Sequence, residues 1–213
     1  MELLYTDSQL VVCLKPCGVL SEDKGDGSLP ALLRETVGGE IAVVHRLDRP
    51  VGGVMVYARN ARAAGALTRS LHEGGEKVYL AVVAGDPGVC GTYEDLLFHD
   101  AHANKTYVVR RMRKGVREAK LSFERLGTAD KDGQTLSLVR VTLGTGRTHQ
   151  IRTQFAARKM PLVGDRRYGS RIESDTLALW SAQLSFDHPT EKRRMMFHHA
   201  PPDVFPFSLF SIE

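Results

Sequence analysis

Cysteine is scarce in this chain of 213 residues, and its spacing excludes two classes at once. Cys13, Cys17 and Cys90 are odd in number and form no C-x-x-C pair, so neither a disulfide framework nor a zinc-finger spacing can be built from them. They read as reduced, mostly buried thiols. No apolar run approaches the length of a membrane span, and the N-terminal "MELLYTDSQLVVCLKPCG" lacks the basic region followed by an apolar core that marks a secretory signal. The expectation is a cytoplasmic protein with no membrane partner. Histidines occur in pairs, His99 with His102 and His198 with His199, but in no helical or finger spacing, so no metal site is expected. No internal repeat, low-complexity tract or Pro/Gly/Ser linker divides the chain, which reads as one domain over 1–213 or two lobes sharing a sheet.

What is present begins with a mild excess of base. Lys and Arg number 29 against 25 acids, a net +4 and a pI near 9.0, which leans toward polyanionic partners without requiring them. Apolar runs bounded by turn residues recur as "LVVCLK", "VMVYA", "KVYLAVVAG", "KTYVVRR", "AKLSFERLG" and "TLSLVRVTLG", six strand candidates. Helix is predicted for "SLPALLRETV", with Ser28 as cap and Pro30 in its first turn. A second is predicted after Asn60, with Ala63, Ala64, Leu67 and Leu71 on one face and Gly74-Gly75 as the stop. A third is placed from Thr148, as cap, to about Lys159. Strands that follow one another without a helix between them favour an α+β fold with a mixed, mainly antiparallel sheet. The tail, rich in proline, is expected to run extended along the body, anchored by Phe205, Phe207 and Phe210.

Four stretches could carry chemistry. In "HRLDRPVGG", His45, Arg46 and Arg49 crowd Asp48, and cations beside a carboxylate hold it ionised; the same residues also read as a surface ion-pair cluster at the head of a strand. The order His-Arg-Leu-Asp is not that of a kinase catalytic loop, and no Gly-rich nucleotide loop precedes it. In "GTGRTHQIRTQF" a glycine-bearing turn opens a helix, so backbone N–H groups, Arg147, His149 and Arg152 could converge on an anion. In "EKVYLAVV" the alternation of a strand puts Lys77 and Tyr79 on one face, although a strand tyrosine by itself is usually core. The fourth, "KTYVVRRMRKGVREAK", carries seven bases, among them Lys105, Arg110, Arg111 and Arg113, against the single acid Glu118. It reads as a basic hairpin able to track a phosphate backbone, or as a solvated charged hairpin. Arg166, Arg167 and Arg171 with Tyr168 would extend the same footprint if they share its face.

Taken together, "HRLDRPVGGVMVYA", "EKVYLAVVAG" and "GRTHQIRTQFAARKMPLVGDRRYGS" resemble the RluA-type RNA pseudouridine synthases, in order and in spacing. "VVCLKPCGVLSE" resembles the family's opening strand and Lys-Pro-x-Gly turn, and "ALWSAQLSFDHP" its closing region, so the likeness covers nearly the whole chain. It implies a mixed sheet bent around a central cleft, and isomerisation of uridine in tRNA or rRNA without metal, nucleotide or organic cofactor. It places the family's catalytic aspartate on Asp48, its active-site tyrosine on Tyr79, and the cation paired with the aspartate on Arg152. Arg46 falls where relatives carry the arginine associated with flipping the target nucleotide. Beside these, Ile151 is expected to close the apolar wall behind the base, and His45, Lys77, Arg147 and His149 are candidate substrate contacts. The resemblance also implies a monomer with no obligate protein partner. The chain opens directly on the catalytic strand, so its RNA contacts are expected from the catalytic domain itself, which singles out the basic hairpin. Two positions depart from the pattern: Val51-Gly52-Gly53 stands where relatives have Thr-Ser-Gly, and Trp180-Ser181 where they have His-Ala. A non-catalytic RNA-binding module is the alternative in another class. A hydrolase using Asp48 with His149 is a third reading, without motif support.

Overall fold

A computed structural model describes residues 1–212. The chain packs as two compact units, one formed by residues 1–77 and 180–201, the other by 78–179 and 202–213. The strands of the first include one parallel pair and are otherwise antiparallel, those of the second pair antiparallel, and three helices are distributed between the units.

In the first unit the strands are β1 (Leu3–Thr6), β2 (Leu10–Lys15), β3 (Ala42–Val43) and β4 (Gly52–Ala58), with β10 (Leu179–Asp187, but for its first residue) and β11 (Arg194–His198). β4 is its centre. β2 runs antiparallel along it from Leu10 opposite Ala58 to Lys15 opposite Gly53. Its other edge takes β3 at residues 57–58 and the parallel β10 at Gly52 and Gly53. Every residue of β2 and β4 is buried, which is why both read as unbroken apolar runs. Helix α2 (Ala61–Glu73) starts where expected: the Asn60 side chain accepts the Ala63 amide at 2.8 Å. Its buried Ala63, Leu67 and Leu71 recur every four residues and pack with Leu10, Val12, Val54, Val56, Leu184 and Phe186 in one core. Helix α1 (Leu29–Val37) begins after Ser28, whose hydroxyl makes no capping bond; Pro30 in the first turn supplies the start signal.

The second unit holds most of β5 (Glu76–Ala84), then β6 (Cys90–Asp100), β7 (Lys105–Val109), β8 (Val116–Lys131) and β9 (Gln134–Leu143), in the order β5-β9-β8-β6-β7, all antiparallel. Helix α3 (Gln150–Ala157) is shorter than the predicted 148–159. His149, in the left-handed region at φ 54°, occupies the position before it, so Thr148 is not the cap. Phe155 packs edge-on against Tyr93 and Phe123, with ring centroids 5.2 and 5.5 Å away. The tail is not simply extended: residues 207–209 make a 3-10 turn, with Phe207 buried and Phe205 and Phe210 partly so.

Candidate active site

Asp48 stands at the start of a turn, where its carbonyl accepts the Val51 amide at 2.9 Å. Both of its neighbours are tied down by residues 15–21, the Lys-Pro-x-Gly turn and the stretch that follows it. The Ser21 hydroxyl donates to the Leu47 carbonyl at 2.8 Å and accepts the Leu47 amide at 3.2 Å. On the other side, the Arg49 carbonyl takes the Gly18 amide at 2.8 Å and the Lys15 ammonium at 3.1 Å, while Arg49 Nε donates to the Gly18 carbonyl at 2.8 Å. Asp48 itself remains partly exposed. A carboxylate presented from a backbone fixed at both flanking residues is positioned for attack at little cost in entropy.

Lys15 is the cation that reading adjacent residues did not find. It is fully buried at the end of an apolar strand and also donates to the Pro16 carbonyl at 2.9 Å. Burial lowers its pKa to about 8, and the nearby Cys17 and Asp48 oppose that shift. The flanking residues of Asp48 have tasks of their own. Arg46 reaches Glu22 at 2.9 Å from an exposed position. His45 Nε2 accepts the Val56 amide at 3.1 Å; burial, reinforced by Lys77, pushes the imidazole well below its ordinary pKa and keeps it neutral. Lys77 donates to the Leu71 carbonyl at 3.3 Å, and burial lowers its pKa too. His45 and Lys77 thus each make a contact that ties the fold together.

In the second unit, Tyr79 lies buried on β5 opposite Val141 of β9. Ile151 and Arg152 are buried in the first turn of α3. Arg152 makes a bidentate pair with Asp165, Nε to Oδ2 at 2.7 Å and Nη2 to Oδ1 at 2.9 Å, and its guanidinium lies 5.0 Å from the centroid of the Tyr168 ring. Asp165 is the acid inside "VGDRRYG", where the sequence reading singled out only the arginines and Tyr168.

The entry to α3 is knitted by Thr106 and Tyr168. The Tyr168 hydroxyl accepts the Thr106 amide at 2.8 Å and is hydrogen-bonded to His149 Nδ1 at 2.9 Å. The Thr106 hydroxyl donates to the Thr148 carbonyl at 2.9 Å, leaving its lone pair for His99 Nδ1 at 3.0 Å. Gln150 fixes the preceding loop, accepting from Thr145 and from the Arg147 amide at 2.7 and 3.0 Å. Arg147 Nε donates to the Glu118 carbonyl at 2.9 Å. Arg147 is thus held to the backbone of β8, while Arg152 is held by Asp165.

The basic hairpin of β7 and β8 has an exposed tip, residues 110–115. Arg113 stacks 4.9 Å over Phe98, whereas Arg110, Arg111 and Lys114 make no ion pair among the described residues. Arg167 donates to the carbonyls of Ala103 and Asn104, and Lys105 lies 5.4 Å from the Tyr168 ring, so part of the Arg166–Arg171 cluster does adjoin this hairpin. Among the described residues, no three His, Cys, Asp or Glu side chains come together as a metal site.

Residues 9–157 match the family model described as RNA pseudouridylate synthase. The chain belongs to that family. The synthase is 33% identical over 222 residues to the dual-specificity RNA pseudouridine synthase RluA of Vibrio vulnificus, covering 96% of this chain and 84% of that protein. It is 29% identical to the tRNA pseudouridine synthase C of Haemophilus ducreyi, covering 89% and 86%. An RNA pseudouridine synthase of Aquifex aeolicus is 33% identical over 96% of this chain and 71% of its own length. The solved human RNA pseudouridylate synthase domain containing 1 shares the fold, with a TM-score of 0.79 at 24% identity over 95% of this chain and 84% of that one. The synthase is thus an isomerase of uridine in RNA with the α+β fold of its family, and the mixed, mainly antiparallel sheet agrees with the expectation from the order of strands. No helix among the described residues is long and apolar enough to cross a membrane.

Proposed function

We propose that the synthase isomerises uridine in a loop of transfer or ribosomal RNA, with Asp48 as nucleophile. What carries this reading is the setting of Asp48, half exposed on a turn whose flanking residues Leu47 and Arg49 are both clamped. The names of the relatives, one of them dual-specific and one a tRNA enzyme, support these two RNA classes. A stacked uridine hides its glycosidic bond, so the base must be flipped out, at a cost of a few kcal/mol that is smaller in a loop. Asp48 then attacks C1′ or C6, the base is detached and turns to present C5 to the ribose, and the C5 proton leaves after the new carbon–carbon bond forms. Tyr79 takes that proton, and Arg152 supplies the charge that keeps the nucleophile ionised. Arg46 fills the gap left by the flipped nucleotide, and Arg147, His149 and Ile151 line the substrate. The C1′–N1 bond is exchanged for a C1′–C5 bond, the C5 proton is released and N1 takes up another, so substrate and product are isomers and the reaction calls for no net oxidant or reductant.

The whole chain acts, on this reading, as one catalytic domain, a monomer working in the cytoplasm without a protein partner. Mapping pseudouridines chemically in total RNA from cells with and without the gene tests it. One or more loop positions lose the modification when the gene is removed; if none does, a binding module is the better description.

The RNA backbone is assigned to the tip of the basic hairpin. Arg110 and Arg111 are the residues to neutralise, because Arg113 also packs on Phe98. Replacing both by Gln should weaken binding to structured RNA and reduce the slope of log K against log salt by about 1.4 to 1.8, two phosphate contacts' worth. A slope that does not move returns the hairpin to a solvated surface.

A further inference from the structure

The two departures from the family pattern meet in space. Gly52 opens β4, and its partner in the parallel pairing with β10 is Trp180. A Cβ placed on Gly52 would collide with Cζ3 of the indole, and would sit 2.9 Å from Cε3 and 3.0 Å from Cys17 Sγ. Gly53, next along, has φ +119° and could carry no side chain in any case, since a Cβ there would run into the Ser181 backbone. Gly52 has no such backbone requirement, because it is not among the glycines of positive φ. What excludes a side chain from it is the indole, with the Cys17 sulfur, at the end of an exposed side chain, as a secondary contact at 3.0 Å. The ring, in turn, is not free to yield: Trp180 is buried, and its Nε1 donates to the His199 carbonyl at 2.9 Å.

We propose that Trp180 is a positioning residue, an indole brace laid on Gly52 that fixes the exit of the Asp48 turn. The inference rests on Asp48 being the nucleophile. The path is short. Val51 closes the turn by donating to the Asp48 carbonyl at 2.9 Å, and Gly52 is the next residue, seated under the ring. Before the turn Leu47 is clamped by a hydrogen bond from Ser21, and inside it Arg49 is clamped by hydrogen bonds from Lys15 and Gly18. After Val51 the constraint is steric, and it comes from the six-membered part of the indole, the part that holds Cε3 and Cζ3. A wall of this kind holds position without a hydrogen bond, which suits a strand whose next residue must keep a left-handed backbone.

This anatomy picks out the partner substitution. A histidine ring overlays the five-membered part of an indole, so Trp180→His removes the two ring atoms that most crowd a Cβ at position 52, leaving the sulfur of the exposed Cys17 as a 3.0 Å contact that its side chain can relieve. It also keeps a ring N–H able to reach the His199 carbonyl. The same added methyl should therefore have opposite consequences in the two backgrounds. Next to tryptophan, Gly52→Ala must displace either the ring or the strand, and a displacement of the Asp48 turn approaching 1 Å should slow the chemical step by about 10- to 100-fold. Next to histidine, the methyl occupies vacated space, and the double variant should react within about twofold of Trp180→His alone.

The experiment is a four-member cycle of wild type, Gly52→Ala, Trp180→His and the double variant. Single-turnover tritium release is measured from transcripts of tRNA and ribosomal RNA carrying 5-tritiated uridine. RNA affinity and thermal midpoint are measured for all four. The proposal expects the coupling in the rate, with affinity constant to within about twofold. Losses in rate that simply multiply overturn it, as does a coupling confined to the thermal midpoint, which would make the pair ordinary core packing. If Gly52→Ala alone does not fold, a double variant much slower than Trp180→His overturns it equally, and one of matching rate supports it. Asp48→Asn in the same assay separates the two claims: an active Asp48→Asn brings down the nucleophile, whereas a silent one with a multiplicative cycle brings down the brace alone.

Discussion

Asp48→Asn should leave a folded protein that releases no tritium from 5-tritiated uridine in RNA, a loss of roughly 10⁴-fold or more in the chemical step, as expected when a covalent nucleophile is removed. The fold should survive because the turn needs the backbone of residue 48 and not its charge: the bond that closes it runs from the Val51 amide to the Asp48 carbonyl. Asparagine is also at home at the first position of such a turn. Leu47 and Arg49 keep their ties to Ser21, Gly18 and Lys15. One electrostatic consequence is expected. Asp48 supports the charge on buried Lys15, so its neutralisation should move the Lys15 pKa further below about 8, with only a small fall in thermal midpoint. RNA binding should persist, since the residues assigned to the backbone lie on the hairpin tip. Turnover within tenfold of wild type would place the nucleophile elsewhere.

What could be read from the sequence was local and periodic. β2 was legible to the residue because "LVVCLK" is buried throughout, and α2 because Asn60, the four-residue spacing of Ala63, Leu67 and Leu71, and Gly74 agree with one another. β6 was not anticipated: "CGTYEDLLFHD" mixes exposed, intermediate and buried positions without alternation, so its strand is imposed by pairing with β7 and β8. The start of α3 was misplaced by two residues because a left-handed His149 precedes it, a conformation tied to the Tyr168 hydroxyl nineteen residues away. The site divides in the same way. Asp48, Tyr79 and Arg152 were named through a resemblance of motifs. The groups that hold them were not, since each depends on a partner distant in sequence: Lys15 on the Arg49 carbonyl, Ser21 on Leu47, Asp165 on Arg152. A lysine at the end of an apolar strand and an acid between Gly164 and two arginines are signals of this kind, visible once burial is known.

Asp165→Asn should be the most destabilising conservative substitution in the second unit. Arg152 and Asp165 are both buried, with side chains 6% and 1% exposed, and the pair is bidentate. Removing the carboxylate takes from the buried guanidinium the anion that holds it bidentately, a change that typically costs about 3 to 5 kcal/mol because the lost interaction cannot be replaced by water in place. For a chain of this size each kcal/mol moves the thermal midpoint by about 2 to 4 °C, so a fall on the order of 10 °C is expected. The asparagine oxygen can still accept one bond, which puts the expected cost at the lower end. The reciprocal experiment separates stability from chemistry. Arg152→Met with Asp165→Leu removes both charges and should restore most of the lost stability, because a buried ion pair contributes little beyond what apolar side chains of similar size provide. It should not restore tritium release, since the cation assigned to the nucleophile is gone. Denaturant midpoints and single-turnover rates on the same three proteins decide the matter. A stable, inactive double variant would show that the synthase keeps this buried pair for catalysis. An active one would reduce Arg152 to a structural residue.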